Sequence, residues 1–308
     1  VRFVRTLELP ASRGRIMDRN GLILASNIPA ASIWAIPDDV NATPAQLKEL
    51  AQLLEIPFTE LSSKLGTEDK SFVWLKRQVE EPVAKRITEL GLKGIHQDSG
   101  FKRQYPDGEA TAHVIGFTNI ENTGLDGMEL TFEKHLLGRS GSRRVIKDGK
   151  GRVVEDIRDK VPPVDGKDLQ LSLDSKVQFF AYQKLRETVT AQKAKGGSVV
   201  VLDAVTGEVL ALANYPSYMP DKRKNLTGEQ LRNRAVTDTF EPGSTMKPIT
   251  VAMALEAGRV TPQTLIDTGP GRYAIGGFNI TDTHNYGTLT VEGVIQKSSN
   301  VGALKIAQ

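Results

Sequence analysis

A proline-glycine break followed by a long apolar run constrains this chain more than any other feature. Pro242-Gly243 interrupts whatever precedes it, and from Met246 to Leu255 the residues are almost all apolar or small until Gly258. A glycine just past such a run is a helix stop, because the left-handed conformation that closes a helix costs it little. The run therefore predicts a helix that starts at Ser244, is apolar all round and is buried. Pro248 is a blemish in it, since proline lacks the N–H that a helix interior needs. Near the N-terminus that loss is tolerable. The first turn of this helix puts Ser244 and Lys247 on one face.

That pair has a chemical reading. A serine hydroxyl is a poor nucleophile until a base takes its proton. A lysine is that base only when neutral, against an ordinary pKa of about 10.4. Burial or a second cation lowers that value, and the N–H groups of a helix start stabilise a developing oxyanion. The structural alternative is a capping serine with a solvated lysine. Ser99-Gly-Phe-Lys102 has the same spacing but is followed only by Phe101-Lys-Arg-Gln-Tyr-Pro106, so the bare pattern is weak. A second element follows. Lys297-Ser298-Ser299-Asn300 holds the sequence's only Ser-x-Asn, directly before another apolar helical run, Val301 to Ala307. Ser-x-x-Lys followed by Ser-x-Asn matches, in order and kind, the active-site serine set of penicillin-binding proteins and class A β-lactamases.

The resemblance extends along the whole chain. Phe240-Glu-Pro-Gly-Ser-Thr-Met-Lys-Pro248 and Gln296-Lys-Ser-Ser-Asn-Val-Gly302 resemble the first two active-site motifs of class B penicillin-binding proteins. Arg13-Gly-Arg-Ile-Met-Asp-Arg-Asn-Gly21 with Leu24-Ala25, and Gly124-Leu-Asp-Gly-Met-Glu129, resemble that family's non-catalytic N-terminal module. Tyr105-Pro-Asp-Gly-Glu-Ala-Thr-Ala-His-Val-Ile-Gly-Phe-Thr-Asn119 and Val236-Thr-Asp-Thr-Phe-Glu-Pro242 are most similar to the cell-division, FtsI-like branch. The family's third motif, Lys-Thr-Gly or Lys-Ser-Gly, occurs nowhere in the sequence. The resemblance places it well downstream of Ser-x-Asn, and so implies that this chain carries half of such an active site.

By the same resemblance the fold is α+β. An N-terminal pedestal of the dimerisation type, residues 1–163, precedes the first, incomplete part of a transpeptidase domain of the serine β-lactamase-like kind, residues 164–308. The implied activity is that of a serine-type peptidoglycan D,D-transpeptidase in septal wall synthesis. Ser244 would attack the carbonyl between the last two D-alanines of a stem peptide, and Lys247 would accept its proton. Ser298 would relay a proton to the leaving amine, and Asn300 would hold the substrate amide and Lys247 in register. The implied partners are the D-Ala-D-Ala stem peptide and lipid-linked precursor strands, β-lactam antibiotics, and membrane-bound division proteins including a glycosyltransferase. The implied location is the bacterial inner membrane, with the catalytic domain periplasmic and a single anchor upstream of Val1. Two other classes stay open. One is a hydrolase, a β-lactamase or D,D-carboxypeptidase, although no deacylating glutamate is evident. The other is a β-lactam-binding sensor or divisome scaffold without turnover.

Bulk properties fit two ordinary globular domains. The chain has 308 residues, 39% of them apolar and 25% charged, which argues against disorder. A net charge of +3 is too small for a nucleic-acid footprint, and the basic run from Arg139 to Arg152 reads as a solvated hairpin. No cysteine means no disulfide, no thiolate nucleophile and no cysteine metal site. His96, His113, His135 and His284 are scattered without metal spacing, and no phosphate loop appears, so no cofactor or metal is expected. Asp282-Thr-His284-Asn-Tyr-Gly287, between the two motifs, reads as a loop that could line the cleft.

The chain divides near Pro162-Pro163. Before it, Asp18-Arg-Asn-Gly21 predicts a tight hairpin turn. Thr43-Pro44-Ala-Gln46 predicts a capping box with proline at the first helical position, leading a helix with Leu47, Leu50 and Leu54 on one stripe. A second modest helix begins near Pro82, with Val83, Ile87 and Leu90 inside and Gly91 at its end. After the prolines, Leu169 to Leu173 reads as a strand, and Asp174-Ser175 as the cap of a helix to about Lys193. Ser198 to Leu202 and Glu208 to Leu212 read as a hairpin of a larger, incomplete sheet, joined by Asp203-Ala-Val-Thr-Gly207.

Overall fold

The computed structural model describes residues 3–66, 72–147 and 153–308. Two compact units make up the chain, Val1–Asp238 and Thr239–Gln308.

The first unit is built along one long strand, Ile23–Ala35. Val73–Glu80 and Ile95–Gln104 pair antiparallel along its second half and most of its length, respectively. At its start it pairs with Ile16–Met17, which pairs in parallel with Leu169–Gln170. The predicted hairpin turn is present: the Asp18 amide donates to the Leu22 carbonyl at 2.8 Å, and Gly21 has φ 83°. The capping box forms as well. The Gln46 amide donates to Thr43 Oγ1 and the Thr43 amide to Gln46 Oε1, starting the helix Pro44–Leu53. Leu50 and Leu54 are fully buried with Ile33, Leu61 and Leu75, and Leu47 packs beside them. The helix Glu81–Glu89 buries Ala84 and Ile87, with Val83 and Leu90 half-buried. Gly91 follows at φ 62°.

Phe58–Leu65 is among the helices that the sequence did not signal. It buries only Leu61 and has no side-chain cap, so neither periodicity nor capping marks it strongly in the sequence. In the basic run, Gly141–Lys147 pairs with Val153–Val161 as a hairpin, and Phe3–Leu9 adds a third strand beside Gly141–Lys147. Residues 148–152 of that run lie outside the described residues.

Asp174 caps the helix Ser175–Ala191 by accepting from the Lys176 and Val177 amides. That helix lies on the hairpin Gly197–Leu202 and Val209–Tyr215, whose strands pair with each other as expected. The joint core is Ala181, Tyr182, Leu185, Val189, Ala211 and Ala213. Gly207 turns the hairpin at φ 77°. Among the described residues, no helix is long and apolar enough to cross a membrane.

The two motifs of the N-terminal resemblance meet in the interior of this unit. Glu129, fully buried, accepts from Arg13 Nε at 2.6 Å and from Arg103 Nε at 2.7 Å. Arg13 also donates to the Glu129 carbonyl and pairs with Glu133 at 2.7 Å, and Arg103 donates to the Gly14 carbonyl at 2.8 Å. The Tyr105 hydroxyl donates to Glu129 at 3.4 Å and accepts from the Thr118 amide. Burial first, and the Glu129 charge second, push that hydroxyl far above its ordinary pKa, so it stays protonated. Two cations against two anions make the cluster neutral in sum. Such a cluster is tolerated only while every charge keeps its partner.

Two stability outcomes follow. Glu129→Gln leaves the interior guanidinium of Arg103 without a carboxylate and Arg13 with Glu133 alone, and lowers the unfolding free energy by about 3–5 kcal/mol, measured by urea denaturation; an unmoved midpoint shows that the pairing is dispensable. His113 gives a pH dependence. It is buried, and its Nε2 must carry the hydrogen that meets the Gln230 carbonyl at 2.7 Å. Burial holds its pKa below the ordinary value, against the opposing pull of that carbonyl and Asp126. The unfolded chain therefore takes up the proton first on acidification, and stability falls as the pH drops below about 6.5. Between pH 7 and 5 the denaturation midpoint falls further in the parent than in His113→Gln; equal slopes refute the assignment.

Candidate active site

The site residues lie in the second unit, on two helix starts. Gly243–Met246 is a 3-10 turn, entered at φ 56° on Gly243 and tied by Thr245 Oγ1 donating to the Pro242 carbonyl at 2.6 Å. The α-helix proper begins at Lys247 and runs to Glu256. This corrects the expected start at Ser244. Pro248 becomes the second residue of the α-helix, where its missing N–H would have had no partner in any case. Gly258 follows the helix at φ 63°, as expected. The expected burial all round is also corrected. Val251 and Ala254 are buried against Val291, Val294, Ala303 and Ile306 of the two helices beside them, while Ile249 and Met253 are 52% and 66% exposed. Only one face of the helix meets those neighbours.

The second helix start is more constrained. The helix Val291–Lys297 ends on Ser298, a non-glycine residue in the left-handed conformation (φ 51°, ψ 43°). Ser299, fully buried, caps the next helix, Asn300–Ala307, by accepting from the Gly302 amide at 2.8 Å. The tight turn between the helices depends on Gly302, where a Cβ would stand 2.5 Å from Val294 Cγ2.

Lys247 joins the two starts. Its Nζ lies 3.1 Å from Ser244 Oγ, 2.6 Å from the Ser298 carbonyl, 3.0 Å from Ser298 Oγ and 2.6 Å from Asn300 Oδ1. The Asn300 amide has one consistent orientation, because its Nδ2 donates to the Thr281 carbonyl at 2.9 Å. The Ser298 carbonyl and Asn300 Oδ1 only accept, so two amine hydrogens go to them. The remaining position of nitrogen then faces the two hydroxyls, as a third hydrogen in the ammonium or as a lone pair in the neutral amine. The neutral amine thus keeps both short bonds while offering its lone pair to the Ser244 hydroxyl. Partial burial holds Lys247 below the ordinary lysine pKa, opposed by the negative charge of Asp282. The arrangement can therefore activate an exposed serine without rearranging its own bonds.

All four expected residues, Ser244, Lys247, Ser298 and Asn300, come together here. The similar pair at Ser99 and Lys102 lies on the strand Ile95–Gln104, with Lys102 donating to Glu80 at 3.0 Å. His113 belongs to the interior of the first unit. In the loop 282–287, His284 rests edge-on against Tyr286. Asp282 does more. Its Oδ2 accepts from Ser299 Oγ at 2.6 Å, and its Oδ1 accepts from the Asn300 and Val301 amides at 2.6 and 3.1 Å. Sequence reasoning placed Asp282 only in a loop that could line the cleft. Its partners are 17 to 19 residues away, and no local pattern signals such contacts.

Two family models match the chain: the penicillin-binding protein dimerisation domain over residues 8–171 and the penicillin binding protein transpeptidase domain over residues 197–308. The chain belongs to the penicillin-binding proteins. Within them it is of class B and FtsI- and PenA-like. It is 46% identical over 311 residues to the probable peptidoglycan D,D-transpeptidase PenA of Neisseria gonorrhoeae, covering 99% of this chain and 53% of that protein. It is 43% identical over 313 residues to the peptidoglycan D,D-transpeptidase FtsI of Escherichia coli K12, covering 100% and 53%. The chain thus spans about half the length of the curated relatives it matches. Among solved structures, a peptidoglycan synthetase from Bifidobacterium adolescentis has a TM-score of 0.66 at 26% identity, over 99% of this chain and 60% of that one. Penicillin Binding Protein 2X from Streptococcus thermophilus, at 24% identity and a TM-score of 0.71 over 99% and 50%, shares the fold.

The close approach at Gly302 gives a direct test of how the site is held. Gly302→Ala forces the two helices apart and destabilises the unit Thr239–Gln308 by about 1–3 kcal/mol, seen as a lowered melting temperature; an unchanged melting temperature means that the contact relaxes freely.

Proposed function

We propose that the protein carrying this chain is a peptidoglycan D,D-transpeptidase that works through an acyl-enzyme on Ser244. The observation that carries the reading is the convergence of Ser244, Ser298 and Asn300 on one lysine nitrogen, at 2.6 to 3.1 Å. The names of the FtsI and PenA relatives agree with it. In the first step, Ser244 Oγ attacks the carbonyl carbon between the two terminal D-alanines of a stem peptide. Lys247, as the neutral amine, takes the hydroxyl proton. The peptide C–N bond breaks, the released D-alanine takes a proton relayed through Ser298, and an ester remains on Ser244. In the second step, the amine of a neighbouring strand attacks that ester, forming the cross-link and restoring the serine hydroxyl. Asn300 holds the substrate amide and Lys247 in register. A β-lactam, whose ring amide stands in for the scissile bond, opens on the same serine and stays there as an ester.

The finer reading follows the FtsI likeness. Residues 1–163 form a non-catalytic pedestal and residues 164–308 the first part of the catalytic domain. The enzyme is held in the inner membrane with this chain in the periplasm, and cross-links lipid-linked precursor strands at the septum beside a glycosyltransferase and other division proteins.

Fluorescent penicillin tests the central claim on the full-length protein. The parent is labelled, Ser244→Ala is not, and Lys247→Ala is labelled at least 100-fold more slowly. The labelling rate rises with pH through the lysine titration, with its midpoint below the ordinary value of about 10.4. Serine-independent labelling, or a parent that takes up no label, refutes the reading.

A further inference from the structure

We infer that the first unit carries a glycan-binding surface, on the outer face of the sheet formed by Ile23–Ala35, Val73–Glu80 and Ile95–Gln104. The surface is separate from the acyl-transfer site. Only the choice of glycan, the N-acetylhexosamine chain of the wall, rests on the transpeptidase reading, because a stem peptide is borne on such a chain.

Strand register divides the sheet into two faces, since side chains alternate along a strand. Ala31, Ile33 and Ala35, with Leu75 and Val79, belong to the core shared with Leu50 and Ile87 of the helices. The alternate positions face away from that core. There Trp34 stands opposite both Trp74 and His96, and Ser32 opposite Asp98. Trp34 and His96 stack with ring centroids 4.4 Å apart, while Phe72 lies 5.1 Å from Trp34 and meets Trp74 edge-on at 4.7 Å. Phe72 and Trp74 are 42% and 38% exposed. One end of this face is therefore a group of rings that lock one another in place.

Beside the rings the face opens into a cavity of about 290 Å³, at the lower end of the range for small-molecule sites. Trp74 and Phe101 form its apolar wall, and Ser32, Asp98 and Asn122 are among its polar groups. Arg77 and Gln78 both line it, although neighbours on a regular strand point to opposite faces. A bulge permits this. Arg77 and Gln78 together stand opposite Ser32, and Gln78 has φ 56°. Asn122, on the loop beside them, has φ 66°. Non-glycine residues persist in this conformation only where their surroundings enforce it, and such strain gathers at ligand sites. The loop is clasped to the sheet: Arg77 pairs with Glu121 at 2.8 Å, Gln78 donates to the Ile120 carbonyl at 3.4 Å, and Arg13 donates to the Asn122 carbonyl at 3.1 Å. Arg77 Nε and Asn122 Oδ1 are buried with no hydrogen-bond partner among the described residues. A small side-chain rotation offers both to a ligand's hydroxyls.

Charge selects among ligands. Glu8, Asp98 and Glu121 line the cavity against Arg77, while Arg13 is already paired with Glu129 and Glu133. Such a lining repels phosphate, which sets aside a nucleic-acid strand even though aromatic sheet faces also stack bases. A protein interface is apolar at its buried centre, whereas the deepest part of this face is polar. A sugar ring has C–H groups on its faces and hydroxyls around its rim. It can therefore lay an apolar side against Trp74 or Phe101 and still offer donors to Asp98 and Asn122 and acceptors to Arg77, without bringing a charge.

The test is calorimetric titration of the full-length protein with chitin tetrasaccharide, an uncharged N-acetylhexosamine chain without peptide, beside cellotetraose, which lacks the acetamido groups. Trp74→Ala removes the apolar wall. Asn122→Gly removes a polar side chain but suits the positive φ, so the loop keeps its shape. The parent binds the chitin chain saturably and in preference to cellotetraose. Each variant binds it at least about tenfold more weakly, with melting temperature and penicillin labelling close to the parent's. A folded parent that binds neither sugar overturns the proposal and leaves the face to a protein partner. Binding that stays within about twofold of the parent in both variants overturns it as well, and so does binding lost in Ser244→Ala, which places the sugar at the acyl-transfer site. Equal binding of cellotetraose overturns the choice of an amino-sugar chain. A parent that binds the chitin chain but takes no penicillin label keeps the surface and removes the transpeptidase reading.

Discussion

One lysine nitrogen faces more oxygens than it has hydrogens. Four oxygens from Ser244, Ser298 and Asn300 lie within hydrogen-bond distance of Lys247 Nζ, and even the ammonium has only three N–H groups to give. Two of those oxygens can only accept, so competition falls on the hydroxyls, and a hydroxyl that shares or loses its donor is free to give up its own proton. The rest of the second unit serves this arrangement. The 3-10 turn lifts Ser244 beside Lys247. The left-handed Ser298 aims a carbonyl inward, and Gly302 lets the Asn300 helix approach closely enough to reach.

The interior of the first unit offers the opposite case. Around Glu129 each charge has its counterpart, and even the Tyr105 hydroxyl both donates and accepts. A buried cluster in which every charge is paired holds its members in place. The two clusters are made of common polar side chains and differ in how fully their charges are paired. That difference separates a structural joint from the candidate active site.

What could be read from the amino acids alone was whatever is settled within a few residues. The capping box at Thr43, the turn at Asn20-Gly21 and the stop at Gly258 were legible because each is decided by local backbone chemistry. Ser244, Lys247, Ser298 and Asn300 were legible as motif residues, since two short patterns carry them. The 3-10 start before Lys247 was not, because a serine three residues before a lysine is equally compatible with a longer α-helix; the proline one residue on was the only hint. Phe58–Leu65 escaped because a single buried leucine leaves a faint pattern. Asp282 escaped for a deeper reason. Its role is defined by contacts made only after the chain has folded back on itself, and nothing in its own neighbourhood announces them. The meeting of Arg13 and Glu129, 116 residues apart, is of the same kind.

The Ser298 turn has one more implication. Its geometry is held by groups from three stretches of chain: Lys247, the end of the hairpin at Thr281–Asp282, and the Asn300 helix. No single stretch contains the site, and loop closure must bring all three together before any of it exists. Transient opening of the short hairpin is therefore enough to dismantle the site while every helix stays intact. A reagent that reacts only with the assembled serine accordingly counts molecules in which this small unit is wholly native, and so works as a gauge of its folding.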